Sequence, residues 1–408
     1  MLWMPLALAG CGDAGDGSTS EGASATTGES TTAGESASGS TTVATETGAT
    51  AGSTGAEPVD YEQPGPHPVG NTRFTLEDGA SGRSLLIELW YPADASVAGD
   101  AAAGHPIEEF VPAGADRDRF VDLLASAPDP GTRRQTSSAF GGAPLAGESW
   151  PVIAFSHCHG CTRFSKFSVA ERLASHGFAV VAPDHQGNTL FNALDDDNAP
   201  LNGEFLATRA GDISAVLDAV LDPESAVVDA AVRGRLDPAR VGVMGHSYGA
   251  TTSGLVAEND DRVQAAVAIA APIENPLLPG PMLANIHKPL LFVLAVEDNS
   301  IQEIGNNILR NNFNIANPPT WLIEVSDAGH WGFSDICGIT EDYAPGCGEG
   351  TRQTDGTEFT YLDVDIGRGL VAAYATAFFD SHLNGAAAGA EYLMTAQPEG
   401  IVELEARL

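Results

Sequence analysis

Six short apolar runs, at residues 151–156, 178–183, 240–244, 263–270, 289–295 and 320–325, constrain the possible folds of this chain more than any other feature. A strand that is apolar along its whole length is buried on both faces, as in a parallel sheet covered by helices. The intervening segments have helical spacing or composition, notably 164–176, 204–221 and 300–309, and 369–383 has the pattern of a closing helix. Two further strands are expected upstream, at 72–77 and 83–92. Strands alternating with helices predict an α/β fold, a mostly parallel, doubly wound sheet with helices on both faces and right-handed crossovers. In such a sheet, chemistry gathers at the carboxyl ends of the strands.

One strand end carries a particular signal. The strand at 240–244 runs into Gly245-His246-Ser247-Tyr248-Gly249, and small, helix-compatible residues follow. A strand–turn–helix of the form G-x-S-x-G lifts its serine onto a sharp, strained corner. The flanking positions must lack bulk so that strand and helix can nearly touch. The helix N-terminus then aims backbone N–H groups at negative charge developing beside the serine. Ser247 is therefore the candidate nucleophile.

A serine hydroxyl needs a general base, and the base needs a carboxylate that fixes its tautomer. In hydrolytic sheets of this kind the acid and then the histidine follow the serine in the chain. Only His287, His330 and His382 follow Ser247. His287 precedes a strand at the wrong edge of the sheet and His382 falls on the last helix, whereas His330 follows a strand's carboxyl end. His330 is the expected base. The run 289–296 delivers Glu297 and Asp298; Asp298 is the expected acid, with Glu297 and Asp327 as alternatives. Two backbone donors should form the oxyanion hole, the N–H of Tyr248 and that of His159 in the loop 156–163. Trp331 and Phe191 are candidates for contact with substrate.

The same loop holds His157, Cys158, His159 and Cys161, which are acceptable zinc ligands. Packed into five residues, they cannot all reach one tetrahedral ion. No metal and no cofactor are expected. Cys158, Cys161, Cys337 and Cys347 are candidates for disulfides, with three connectivities open. A bridge between Cys337 and Cys347 would stabilise by roughly 2–3 kcal/mol.

Residues 12–59 are almost entirely Gly, Ser, Thr, Ala and Glu, and the first Lys or Arg of the chain is Arg73. This tract offers little apolar surface to bury and is expected to be a disordered tether, leaving residues 60–408 as the catalytic domain. Leu8-Ala9-Gly10-Cys11 resembles a bacterial lipobox, so residues 1–11 are assigned as a signal and lipobox segment with Cys11 lipidated. That implies an exported lipoprotein at the cell surface or in the periplasm, meeting the membrane through its N-terminal lipid. The formal charge of −36, with Lys166 and Lys288 as the two lysines, argues against nucleic acid as a partner. A monomer is expected.

Taken in order, Leu89-Trp90-Tyr91-Pro92, Ser156-His157 with Gly160, 182–188, Gly245–Gly249 and Ala328-Gly329-His330 resemble α/β-hydrolases, specifically bacterial platelet-activating-factor acetylhydrolase-like and dienelactone-hydrolase-like esterases. Cutinase-type polyester hydrolases share the layout. The resemblance spans about residues 72–383 and implies a serine carboxylic ester hydrolase acting on short-acyl or lipid-like esters. A polyester hydrolase, an amidase or peptidase on the same triad, and a non-catalytic surface-binding module are the alternatives. Two departures stand out: Cys158 and His159 replace the glycine-led run of the acetylhydrolases, and Ser247 stands where dienelactone hydrolases have cysteine.

Overall fold

The computed structural model describes residues 59–127, 135–147, 149–395 and 398–408. They belong to one compact unit, Pro58–Leu408. The expectations placed on residues 1–11 and on most of 12–59, Cys11 included, lie outside the described residues.

Twelve strands follow in chain order: β1 Val69–Asp78, β2 Arg83–Pro92, β3 Ser138–Phe140, β4 Trp150–Ser156, β5 Ala179–Pro183, β6 Leu236–His246, β7 Val263–Ile269, β8 Leu290–Ala295, β9 Thr320–Val325, β10 Glu349–Thr351, β11 Glu358–Thr360 and β12 Val402–Arg407. The helices are α1 Ala98–Ala103, α2 Ala115–Ser126, α3 Phe167–Ser175, α4 Leu190–Leu194, α5 Gly203–Leu221, α6 Tyr248–Asn259, α7 Gln302–Ile315, α8 Val364–Leu383 and α9 Ala387–Tyr392. Ten strands make one sheet in the order β12-β9-β8-β7-β6-β4-β5-β2-β1-β3, and β10 with β11 forms a separate hairpin. The six strands from β5 to β9 across the middle are mutually parallel. Antiparallel pairs flank them, β2 against β5 on one side and β12 against β9 on the other.

The period-2 alternation of a strand divides the core. Ile153, Phe155, Val180 and Met244 join one apolar cluster with α3 and α8 residues such as Phe167, Leu173 and Phe378. Their neighbours Val152, Ala154, Val181 and Val243 join a second, with Ile213 and Val216 of α5, Val256 of α6 and Leu309 of α7. Helices cover both faces, which is why these strands read as continuous apolar runs.

Two stretches are more structured than their polar sequences suggest. The acidic segment after β5 contains α4, closed by a capping box in which Thr189 and Asn192 bond reciprocally. The C-terminal strand β12 pairs in register with β9. Its alternating glutamates suit an edge strand with one solvated face, and this masks it in a search for apolar runs.

Candidate active site

β6 ends at His246, and Ser247 turns the chain with φ 57° and ψ −123° before α6 begins. A non-glycine residue at positive φ stores about 1–3 kcal/mol of strain and persists where the surroundings over-determine it. They do so here. The Ser247 N–H donates to the Ile269 carbonyl of β7 at 2.9 Å. A Cβ on Gly245 would lie 2.0 Å from the Gly249 carbonyl oxygen, and one on Gly249 would lie 1.9 Å from that of Ser156. The two glycines thus allow β6, α6 and the end of β4 to meet at van der Waals distance.

Asp298, fully buried beyond β8, accepts the N–H groups of Ser300 and Ile301 on one oxygen, at 2.9 and 3.0 Å. Its other oxygen accepts from His330 Nδ1 at 2.7 Å. The two alternative carboxylates are engaged elsewhere: Glu297 and Asp327 both pair with Arg352, at 2.9 and 2.8 Å. His330 follows β9 and is 1% exposed. With Nδ1–H directed at Asp298, Nε2 is the ring nitrogen left free of the carboxylate. His246 Nε2 donates to the His330 carbonyl at 3.0 Å, tying the residue before Ser247 to the histidine turn. Burial holds the His246 imidazole well below its ordinary pKa, so it stays neutral. The Ser247 hydroxyl itself makes no hydrogen bond with a described residue: the structure pairs Asp298 with His330 and leaves the serine–histidine contact open.

The loop after β4 is fastened at several points. Cys158 and Cys161 are joined by a disulfide, which takes both sulfurs out of reach of a metal. Among the described residues no cluster of three or more His, Cys, Asp or Glu is arranged to hold an ion. Arg163 closes the loop by bonding Asp184 at 2.6 Å and Glu88 at 3.1 Å. The His159 ring reaches the Ala199 carbonyl at 3.1 Å. Neither the His159 nor the Tyr248 backbone N–H donates to an acceptor among the described residues.

Beneath the loop runs a serine–histidine–aspartate chain that the sequence reading missed. Ser156 Oγ lies 2.9 Å from His185 Nε2, and His185 Nδ1 lies 2.9 Å from Asp212 Oδ2. All three residues are buried, Ser156 and His185 completely. Arg209 donates to Ser156 Oγ at 3.0 Å, so the hydroxyl proton goes to His185 Nε2 and Nδ1–H goes to Asp212. Burial keeps His185 neutral. With its proton committed and no access to solvent, Ser156 is a structural residue. The available signal was local, since Ser156 ends β4 and His185 comes two residues after β5; Asp212, on a helix, gave none.

Of the residues proposed to touch substrate, Trp331 packs edge-on against His330 with ring centroids 4.9 Å apart. Phe191, on α4, packs against the core with the Arg119 guanidinium 5.9 Å from its ring. A second disulfide joins Cys337 and Cys347. The loop it closes carries Tyr343, whose ring meets Trp331 at 4.6 Å and whose hydroxyl donates to the Gly160 carbonyl. Of the three connectivities the sequence left open, the structure has the two sequence-local bridges.

Known proteins resemble this chain in overlapping pieces. A dienelactone hydrolase family model matches residues 140–341, and a model of platelet-activating factor acetylhydrolase, isoform II, matches residues 59–202. Platelet-activating factor acetylhydrolase of Bos taurus is 26% identical over 194 residues, 39% of this chain and 43% of that protein. Cutinase est2 of Thermobifida alba is 35% identical over 117 residues, 28% of this chain and 33% of that one. The chain thus spans less than half the length of these curated relatives. A solved ferulic acid esterase from Streptomyces cinnamoneus superposes with a TM-score of 0.56 at 24% identity, covering 78% of this chain and 91% of that one. The fold is that of the α/β-hydrolases, and the sequence likenesses are to ester hydrolases.

Proposed function

We propose that this α/β-hydrolase is a serine carboxylic ester hydrolase. The observation that carries the reading is the 2.7 Å bond from His330 Nδ1 to buried Asp298, beside a serine held at a positive-φ corner. Ser247 Oγ attacks the ester carbonyl carbon while His330 Nε2 takes the hydroxyl proton. Asp298 keeps the imidazole in the required tautomer and stabilises its cation. The carbonyl oxygen becomes an oxyanion that accepts hydrogen bonds from the amides of Tyr248 and His159, at the N-terminus of α6 and in the disulfide-closed loop. His330 then returns the proton to the departing alcohol. Water, activated by the same histidine, releases the acid from Ser247.

The relatives named for acetyl, cutin and ferulic esters support ester cleavage in general, and we place the substrates among short-acyl or lipid-like esters. A polyester substrate is the second reading, supported by the cutinase likeness. Export is part of the proposal, because two disulfides form and persist in oxidising compartments.

Replacing the nucleophile tests the reading. Ser247→Ala should fold as the parent does and lose roughly 10⁴-fold or more of the activity on p-nitrophenyl acetate. Activity near that of the parent would overturn the assignment.

A further inference from the structure

Arg209 is a buried cation held by neutral oxygens. It lies on α5 and has no exposed surface. Its Nη2 donates to Ser156 Oγ at 3.0 Å and to the His157 carbonyl; Nη1 donates to Asn188 Oδ1, and Nε to Thr252 Oγ1 at 3.2 Å. The guanidinium lies over the Tyr248 ring, with Cζ 4.6 Å from the centroid. Among the described residues no carboxylate stands within ion-pair distance of it. Asp212, one turn further along α5, is taken by Arg83 at 2.5 Å and by His185 at 2.9 Å.

Burying an ion in this way is expensive unless fixed dipoles replace its water. Here carbonyl, hydroxyl and amide oxygens replace it, and they come from three separate elements. Ser156 and His157 are the end of β4, where the loop to His159 begins. Tyr248 and Thr252 form the first turns of α6. Asn188 belongs to the segment after β5. Burial lowers the guanidinium pKa to about 9, which leaves it charged at neutral pH.

Resting on the ester-hydrolase reading, we infer that Arg209 is a positioning residue of the oxyanion hole. Its planar fork locks the strand end before His159 against the helix turn that opens with Tyr248. Two amides on different elements are thereby held to converge on one oxygen. Lysine cannot make the same set of bonds, since its ammonium is a compact charge without the fork. Misaligned donors weaken a contact formed fully only in the transition state, so the loss falls on kcat and leaves KM unchanged.

The test uses the whole protein with Arg209→Lys, Arg209→Gln and, in parallel, Ser247→Ala. The probes are p-nitrophenyl acetate and a trifluoromethyl ketone, whose adduct with Ser247 carries an oxyanion. Losing one oxyanion donor outright costs about 10²–10³ in kcat, so a residue acting through the donors should cost about 10-fold as Lys and about 100-fold as Gln. KM should stay near the parent value, and ketone affinity should fall in step with kcat/KM. Partial rescue by Lys over Gln marks the role as positional. Parent-like kcat and ketone affinity in Arg209→Gln overturn the inference, as does a loss confined to KM. If Arg209→Gln does not fold, the same readouts on Arg209→Lys decide. Full activity in Ser247→Ala would overturn the ester-hydrolase reading itself, and this inference with it.

Discussion

Behind the histidine turn sits a second buried cation, Lys166, which is 1% exposed. Its ammonium donates to the Phe333 carbonyl, in the turn that begins at His330. Asp335, Arg368 of α8 and His246 of β6 are the charged or titratable groups around it. Burial pulls its pKa from 10.5 to about 7. Between those two values the unfolded chain binds a proton that the folded chain has released, so this group makes stability rise as pH climbs from about 7 to 10.5. Below pH 7 both states are protonated, and the cost of burying the charge is felt in full. Lys166→Met should therefore gain most in unfolding free energy over the parent below pH 7, and the gain should shrink from about pH 7 toward pH 10. Denaturant titrations at a series of pH values measure it, and a gain independent of pH would refute the assignment. At this scale Ser247, Asp298 and His330 stood out as candidates because each follows an apolar strand, and the structure pairs the last two. Lys166 and Arg209 were not: a cation flanked by helical residues looks the same in sequence whether its side chain faces solvent or the core.

The loop between Cys337 and Cys347 is the element on which the site leans. The Trp331 N–H donates to the Pro345 carbonyl at 3.1 Å, and Gly346 packs so close to Gly329 that a Cβ on Gly329 would fall 2.4 Å from its Cα. Through Tyr343 the same loop reaches the Cys158–Cys161 loop. One short disulfide-closed segment thus braces both the histidine turn and the expected oxyanion loop. Cys337→Ser with Cys347→Ser should lower the unfolding free energy by roughly 2–3 kcal/mol, the entropy the bridge removes from the unfolded chain. It should also lower kcat, because Trp331 loses its backing. Calorimetry together with rates on p-nitrophenyl acetate checks both, and an unchanged kcat would detach the loop from the site. Alkylation mapping without reductant should find no free thiol at either position in the parent. In sequence this segment shows Gly, Pro and Asp among the residues between two cysteines that could pair. Its packing was not legible, because its partners lie up to 183 residues away.

For the molecule as a whole, the formal charge of −36 sets up self-repulsion that opposes compaction. Salt screens such repulsion, with a Debye length near 10 Å at 0.1 M and about 3 Å at 1 M. Melting temperature should accordingly rise from low to molar sodium chloride, and a flat or falling curve would count against repulsion as a destabilising force here. The sequence by itself determined the architecture, because burial on two faces dictates continuous apolar strands and the 3.6-residue period dictates the helices between them. It also supplied the candidates Ser247, Asp298 and His330, since each sits just past a strand end. Tertiary structure alone decided which carboxylate meets His330. Glu297, Asp298 and Asp327 are equivalent in type and each follows a strand, and the direction of each side chain separates them: two turn toward Arg352 and one toward the imidazole. It likewise decided the cysteine pairing and the support under the loop, where Arg209 bonds residues 21 to 53 positions away. Contacts of that kind depend on where separate elements come to rest, and neither periodicity nor composition carries that information.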